Sequence, residues 1–280
     1  MEDNINFGGL PPELSMYSNS RFVILPVPYD GTSTWIKGAD KGPGAIIEAS
    51  MNMELYDIET DSEPCEEGIF TDAPINCDGT PDELSELVEE QVSKHLTANK
   101  LVCVVGGEHS VSIGAMRAHQ GKDFSVLQLD AHSDMRDEYH GSKCNHACVM
   151  ARAKEVASVV QVGIRSMDAS ERDNLGDVFF AHDIQENKNW ISDVVSKLKD
   201  DVYITIDLDV FDHSQMPSTG TPEPGGLMWY QVNDLLKQVA KHKNIIGFDV
   251  VELCPHADNK APDFLAAKLI YKTMAYYLNK

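Results

Sequence analysis

Three apolar runs, at 101–105, 124–129 and 202–206, each pass straight into carboxylate and imidazole side chains, and this repetition constrains the fold more than any other feature of the chain. Residues i, i+2 and i+4 of an extended segment point to one side. In Asp-Ala-His-Ser-Asp at 130–134 that places Asp130, His132 and Asp134 around one point, and Asp207-Leu208-Asp209 does the same with two carboxylates, with Asp212 beyond them. Gly-Gly-Glu-His-Ser at 106–110 adds His109 in the first turn of a helical pattern. Singly, each is ordinary, because acidic turns close many strands and a histidine at a helix start is usually structural. Together they imply parallel strands whose carboxyl ends border one crevice, where open α/β sheets bind their ligands. Carboxylate oxygen combined with imidazole nitrogen suits a divalent metal of the manganese-to-zinc series.

The remaining pattern fills out such a sheet. Strands are expected at 22–25, 158–163, 178–180 and 245–251, and helices at 43–50, 109–119, 168–175, 184–199, 228–241 and 261–278, with a further helical pattern running through Ala153. Thr80 followed by Pro81, Asp82 and Glu83 is a helix start, and Leu84, Leu87, Val88, Gln91, Val92 and His95 trace its inner face. The strands at 101–105 and 124–129, with the helix between them, read as one βαβ unit. Residues 1–20 form a polar lead-in, 29–44 a glycine-bearing loop over the cleft, and 217–226 an irregular Pro/Gly-rich loop. No repeat or linker interrupts the alternation, so residues 1–280 are expected to be a single α/β domain with a mainly parallel sheet between two helical layers.

Charge and cysteine content narrow the functional classes. Forty-five acidic and 23 basic residues give a net charge of −22, which excludes nucleic acid or an anionic membrane as a partner held by a general basic surface. A negative field does favour a cationic amine and a metal ion. No stretch approaches the ~20 apolar residues of a membrane span. The start, Met1-Glu-Asp-Asn, lacks the regions of a signal peptide, so a cytoplasmic location is expected. The six cysteines contain no Cys-x-x-Cys pair and read as free thiols. Cys144 and Cys148 flank His146, which allows a second reading as a Cys-x-His-x-Cys zinc cluster that no further pair completes.

The three signatures, at 106–110, 130–134 and 206–212, resemble those of the ureohydrolases, the arginase and agmatinase family. The resemblance runs along most of the chain, through Pro-Tyr-Asp-Gly-Thr at 28–32, Gly42-Pro43, 220–227 and 247–252, and the last two stretches are more similar to agmatinases than to arginases. It implies the arginase-like three-layer α/β/α fold, a homo-oligomer (trimer or hexamer), and two Mn²⁺ per chain. The implied metal ligands are His109, Asp130, His132, Asp134, Asp207 and Asp209, with Asp130 and Asp207 bridging and Asp134 also accepting a hydrogen bond from the attacking hydroxide. Glu252 matches the family's guanidinium-pairing glutamate, and a bidentate charge-assisted pair suits that planar cation. His146 matches the proton-shuttling histidine, whose value near neutrality suits the task. Ala147 stands where glycine is usual, and Glu108 where aspartate is common; Glu108 is assigned a supporting role at most.

The chemistry accords with those assignments. A guanidinium carbon is electron-rich by resonance and resists neutral water, and metal coordination lowers the pKa of bound water from 15.7 toward ~7. The expected reaction is hydrolysis of agmatine to putrescine and urea. The alternative within the class is N1-aminopropylagmatine, giving spermidine, or another guanidino compound such as guanidinobutyrate; a metal-binding scaffold without activity is the reading from another class. Asp137 and Glu138, in the loop expected at the cleft mouth, are candidates to attract the far amine of the substrate.

Overall fold

The computed structural model describes residues 5–280, so Met1-Glu-Asp-Asn, on which the reading of the amino terminus rested, lies outside the described residues. Eight strands are joined in one sheet: β1 (Phe22–Val27), β2 (Ile69–Thr71), β3 (Leu101–Gly106), β4 (Phe124–Leu129), β5 (Ser158–Ile164), β6 (Asp177–Phe180), β7 (Asp201–Asp207) and β8 (Asn244–Val251). Their order is β2-β1-β3-β8-β7-β4-β5-β6, and every pairing is parallel. The helices are α1 (Pro12–Ser15), α2 (Gly42–Ser50), α3 (Pro81–Thr97), α4 (Ser112–Arg117), α5 (Val149–Ala153), α6 (Ala181–Glu186), α7 (Trp190–Lys197), α8 (Trp229–His242) and α9 (Ala261–Leu278).

Both faces of the sheet are buried, which is why its strands read as continuous apolar runs rather than alternating ones. Ile24, Cys103, Leu127 and Ile204 pack toward α2, α7, α8 and α9, whereas Leu25, Val104, Val126 and Tyr203 pack toward α3, α4 and α5. The result is the expected three-layer α/β/α arrangement.

Several expectations are corrected. β3 and β4 are not neighbours, because β8 and β7 lie between them; two strands from the carboxyl-terminal half complete what the local pattern presented as one βαβ unit. The lead-in is not simply polar, since Phe7 and Leu10 are buried in the core. Leu87 is 41% exposed and Ser85 takes its place on the inner face of α3, because Gly114 of α4 approaches the Ser85 carbonyl so closely that a Cβ there would lie 2.2 Å from it. The helix expected over 184–199 is two, α6 and α7, interrupted at 187–189, and the helix at 168–175 is a 3-10 helix, Ala169–Asn174. β2, only three residues long, carries too little pattern to be seen in the sequence.

Candidate metal centre

The site is assembled by four adjacent strands. β3, β8, β7 and β4 stand side by side, and the loops at their carboxyl ends deliver His109, Glu252, Asp207 with Asp209, and Asp130 to Asp134. Neighbouring parallel strands lie ~4.8 Å apart, so residues far apart in sequence reach one another directly. All eight residues named from the sequence are brought to this cleft: Asp130 is buried at its floor, and the other seven line it.

Asp130 is the common member of two ligand groups. His109, Asp130 and Asp207 offer atoms within 4.8 Å of one another, and so do Asp130, His132 and Asp209. Asp207 belongs to the first group alone, its Oδ1 accepting the Asp209 N–H at 2.8 Å. His109 Nδ1 lies 3.2 Å from Asp130, 2.9 Å from Asp134 and 3.6 Å from Asp207, yet it has no hydrogen-bond partner. A buried imidazole nitrogen aimed into carboxylates without a hydrogen bond is the arrangement that a divalent cation would complete, so the donor set fits the metal class drawn from its chemistry.

The surrounding residues fix these groups. His109 Nε2 lies 2.8 Å from Thr205 Oγ1, and Thr205 donates in turn to Asp249 at 2.7 Å, which orients the ring as second-layer partners orient metal-binding histidines. Thr205 and Asp249 are paired positions of β7 and β8. Gln128 donates to Asp130 at 2.7 Å and is itself held by Gln161 at 2.6 Å. None of these four was singled out from the sequence. Asp249 carried the available signal, an acid inside an apolar strand, which must find partners when buried.

Two site residues sit in the left-handed backbone region, Asp134 with φ 51° and Glu252 with φ 68°. For non-glycine residues this costs on the order of 1–3 kcal/mol and persists only where neighbours enforce it. The Glu252 N–H is tied to the Gly107 carbonyl at 2.7 Å, and the Asp134 carbonyl accepts the N–H groups of Met150 and Ala151 at the start of α5. Gly107 has no alternative, because a Cβ would lie 1.9 Å from the Tyr29 carbonyl where the 29–44 loop crosses the end of β3.

Charge crowding displaces the titrations. Burial, then the charges of Asp134 and Asp209, push Asp130 up to about 7. Burial, with Asp209, Asp130 and Glu252, holds Asp207 well above the carboxylate range, and burial with Glu108 does the same to Glu252. At His132, burial is outweighed by Asp209, whose carboxylate lies 2.8 Å from Nδ1, and by Asp130 and Asp134, so the imidazole rises to about 10. Asp209 falls to about 2, because its contacts with His132 outweigh burial. Burial lowers His146 against the pull of Asp134 and Glu108.

The cleft holds about 310 Å³ and is bordered by Trp35, Ile36, Arg136, Tyr139, Met167 and Gly220 among others. The loop expected over 29–44 borders the cleft through residues 33–36, but it ends earlier than expected, at a 3-10 helix over Ala39–Lys41 that runs into α2. Asp137 and Glu138 do not line the cleft: Asp137 faces Arg152 at 2.7 Å and Lys143 at 3.2 Å, so its charge is already matched. Asp212 instead organises the loop at 214–226, accepting from Ser214, Gly225 and Gly226. The cysteines are free thiols, as expected, and the zinc-cluster alternative at Cys144 and Cys148 fails. Cys144 contacts Asp82 and Cys148 the Ser142 carbonyl, burial raises both thiols, Cys148 to about 11, and among the described residues neither joins a metal-type cluster.

A parallel sheet between two helical layers, with two candidate ligand groups sharing one aspartate at its strand ends, defines the class: an α/β protein with a place for two divalent metal ions. The chain belongs to the Arginase family, whose sequence model matches residues 20–276. It is 37% identical to the N(1)-aminopropylagmatine ureohydrolase of Synechocystis, over 94% of this chain and 91% of that one, and 40% identical to the enzyme of the same name from Thermus thermophilus, over 91% and 89%. Among solved structures it resembles the agmatine ureohydrolase of Thermoplasma volcanium with a TM-score of 0.87 and 31% identity, covering 98% of this chain and 94% of that one. No helix among the described residues is long and apolar enough to cross a membrane.

Proposed function

We propose that this protein hydrolyses the guanidino group of N1-aminopropylagmatine to spermidine and urea, with agmatine as the second reading. The observation that carries the choice of a long polycation is the cleft mouth, where Trp35, Ile36 and Met167 are all exposed large apolar side chains. They offer surface to a methylene-rich chain, and the aromatic face of Trp35 suits an ammonium group. Arg136, the one lysine or arginine bordering the cleft among the described residues, is occupied by Glu171 at 3.3 Å and lies over the Tyr139 ring, which disfavours guanidino acids needing a cation for their carboxylate. The names of the Synechocystis and Thermus thermophilus relatives support the same order of substrates.

In this reading His109, Asp130, His132, Asp134, Asp207 and Asp209 hold two metal ions, Mn²⁺ by resemblance. When bound, these supply a water acidic enough to attack near neutral pH. Glu252 pairs with the guanidinium: Oε1 accepts the His109 N–H at 2.7 Å and keeps its second lone pair, so both oxygens can take part in the two-point contact. Asp134 accepts a hydrogen bond from the nucleophile, and His146 moves the proton toward the departing amine. The same reading takes residues 1–280 as one catalytic domain of a cytoplasmic homo-oligomer in polyamine synthesis.

The deciding experiment is urea release by the Mn²⁺-loaded protein from aminopropylagmatine, agmatine, arginine and guanidinobutyrate. The highest kcat/KM is expected for aminopropylagmatine. A preference for either acid would overturn the reading, whereas a preference for agmatine would select the second one. His146→Asn should lower kcat 10²–10⁴-fold with both metals retained, the usual worth of general acid-base help.

A further inference from the structure

We propose that Glu108 and Thr32 are positioning residues that hold the neutral ring of His146 with its proton on Nδ1 and Nε2 bare toward the cleft. The inference rests on the role given to His146 above. Glu108 is fully buried, and its two oxygens meet four donors. Oε2 accepts the N–H groups of Thr32 at 2.6 Å and Ser33 at 2.7 Å, and Oε1 accepts the hydroxyls of Thr32 and Ser110, each at 2.6 Å.

The Thr32 hydroxyl has one proton and two lone pairs. Its proton is committed to Glu108. The lone pairs then face His146, whose backbone N–H lies 3.1 Å away and whose Nδ1 lies 3.0 Å away. An oxygen with no proton left to give can only accept, so Nδ1 must carry the hydrogen. The neutral ring is thereby limited to one tautomer, and Nε2 is the nitrogen available in the cleft that His146 borders. A proton taken up at Nε2 leaves a cation supported at Nδ1 by Thr32 and, through it, by Glu108.

His109 shows the same construction on other elements: carboxylate Asp249, hydroxyl Thr205, then Nε2. There the strands set the direction of a metal-facing ring. At His146 the loop that covers the cleft does so, and one buried carboxylate both anchors that loop and sets the ring.

Glu108→Gln separates the two jobs. Its amide oxygen can still accept the two N–H groups of the loop, while its NH₂ donates to the hydroxyls of Thr32 and Ser110. The loop stays, but the Thr32 proton is freed to turn toward Nδ1, which favours the opposite tautomer. Thr32→Val removes the relay atom, and Thr32→Ser retains it. We expect kcat for urea release to fall at least about tenfold in Glu108→Gln and Thr32→Val, part of the 10²–10⁴-fold that general acid-base help is worth, with KM little changed, two metals per chain retained and activity restored in Thr32→Ser.

Ring ¹⁵N resonances of His146 provide a readout independent of activity. They would be recorded on protein loaded with diamagnetic Mg²⁺ and assigned by their loss in His146→Asn. The wild type should show protonated Nδ1 and bare Nε2, and Glu108→Gln the reverse. Unchanged kcat in both disruptive variants, or a wild-type ring protonated on Nε2, would overturn the positioning role alone. A wild-type chain with two metals that releases no urea would overturn the proposed function instead.

Discussion

Two regions of the molecule crowd carboxylates together, and they treat them in opposite ways. At the carboxyl ends of β3, β8, β7 and β4, six acids (Glu108, Asp130, Asp134, Asp207, Asp209 and Glu252) converge on the imidazoles of His109 and His132; Asp130, Asp207 and Glu252 are pushed upward, while Asp209, beside His132, falls. Beside α8 and α9, Asp57 and Glu59 meet Lys272 at 3.1 Å and 2.6 Å; Glu59 also meets Lys237 at 2.8 Å and the Tyr276 hydroxyl at 2.9 Å. Both acids of that second region are displaced downward, Glu59 to about 2, because these contacts outweigh burial. The acids beside α8 and α9 bring their own cations. Those at the cleft carry an excess that the chain does not neutralise, which is what a site reserved for external cations requires.

The largest effect should come from supplying and removing those cations. Chelation is expected to abolish activity and Mn²⁺ to restore it, with metal analysis giving two per chain. Since metal favours the folded state, a hundredfold excess over Kd should add about 2.7 kcal/mol for each of the two sites, or about 5–10 °C in Tm per site. A single tightly held zinc, or a melting temperature indifferent to metal, would break the contrast at its cleft end.

Lys272→Met tests the other end. It leaves Asp57 buried without its cation and should destabilise by about 3–5 kcal/mol, while kcat per folded molecule stays at the wild-type level. The acid limb follows from the downward displacement of Glu59. Its contribution is fully present above its ordinary value of 4.5 and drains away as pH falls toward about 2. The wild type should therefore lose stability across that window, and Lys272→Met should lose less of it, as read by urea denaturation at each pH. Equal acid sensitivity in the two proteins would remove the cluster's claim to a stabilising role.

The two regions also differ in how much of each the sequence reveals. The cleft was legible because its residues lie at fixed spacing on strand ends, although the left-handed turn at Asp134 means that only Asp130 and His132 keep the extended alternation, and Asp134 reaches His109 through that turn. Asp57 and Lys272 are separated by more than two hundred residues, and nothing near either one names the other. The same limit hid the insertion of β8 and β7 between β3 and β4, and it misplaced Asp137, whose partner Arg152 is set by the fold of α5 rather than by the acidic run. Glu108 was given a supporting role because its neighbours suggested no more. Three of its four donors belong to Thr32 and Ser33, which only the folded chain brings to it. Spacing along one segment is visible in a sequence, whereas pairing between segments is not.

Asp207→Asn is the smallest effect and the sharpest test. Asp207 Oδ1 accepts the Asp209 N–H at 2.8 Å, and an asparagine oxygen can keep that bond. The other oxygen faces a neighbourhood in which Asp130, Asp209 and Glu252 all oppose its charge. An amide there is neutral and turns donors toward those acceptors, so the metal-free protein should gain about 1–2 kcal/mol, as replacing strained functional charge commonly does. Metal binding and activity should fall together, because one ligand charge is gone. Lys272→Met is expected to lose stability and keep activity, and Asp207→Asn to do the reverse. If metal-free Asp207→Asn were no more stable than wild type by urea denaturation, the uncompensated charge would cost the fold nothing, and the difference between the two regions would have to be one of geometry alone.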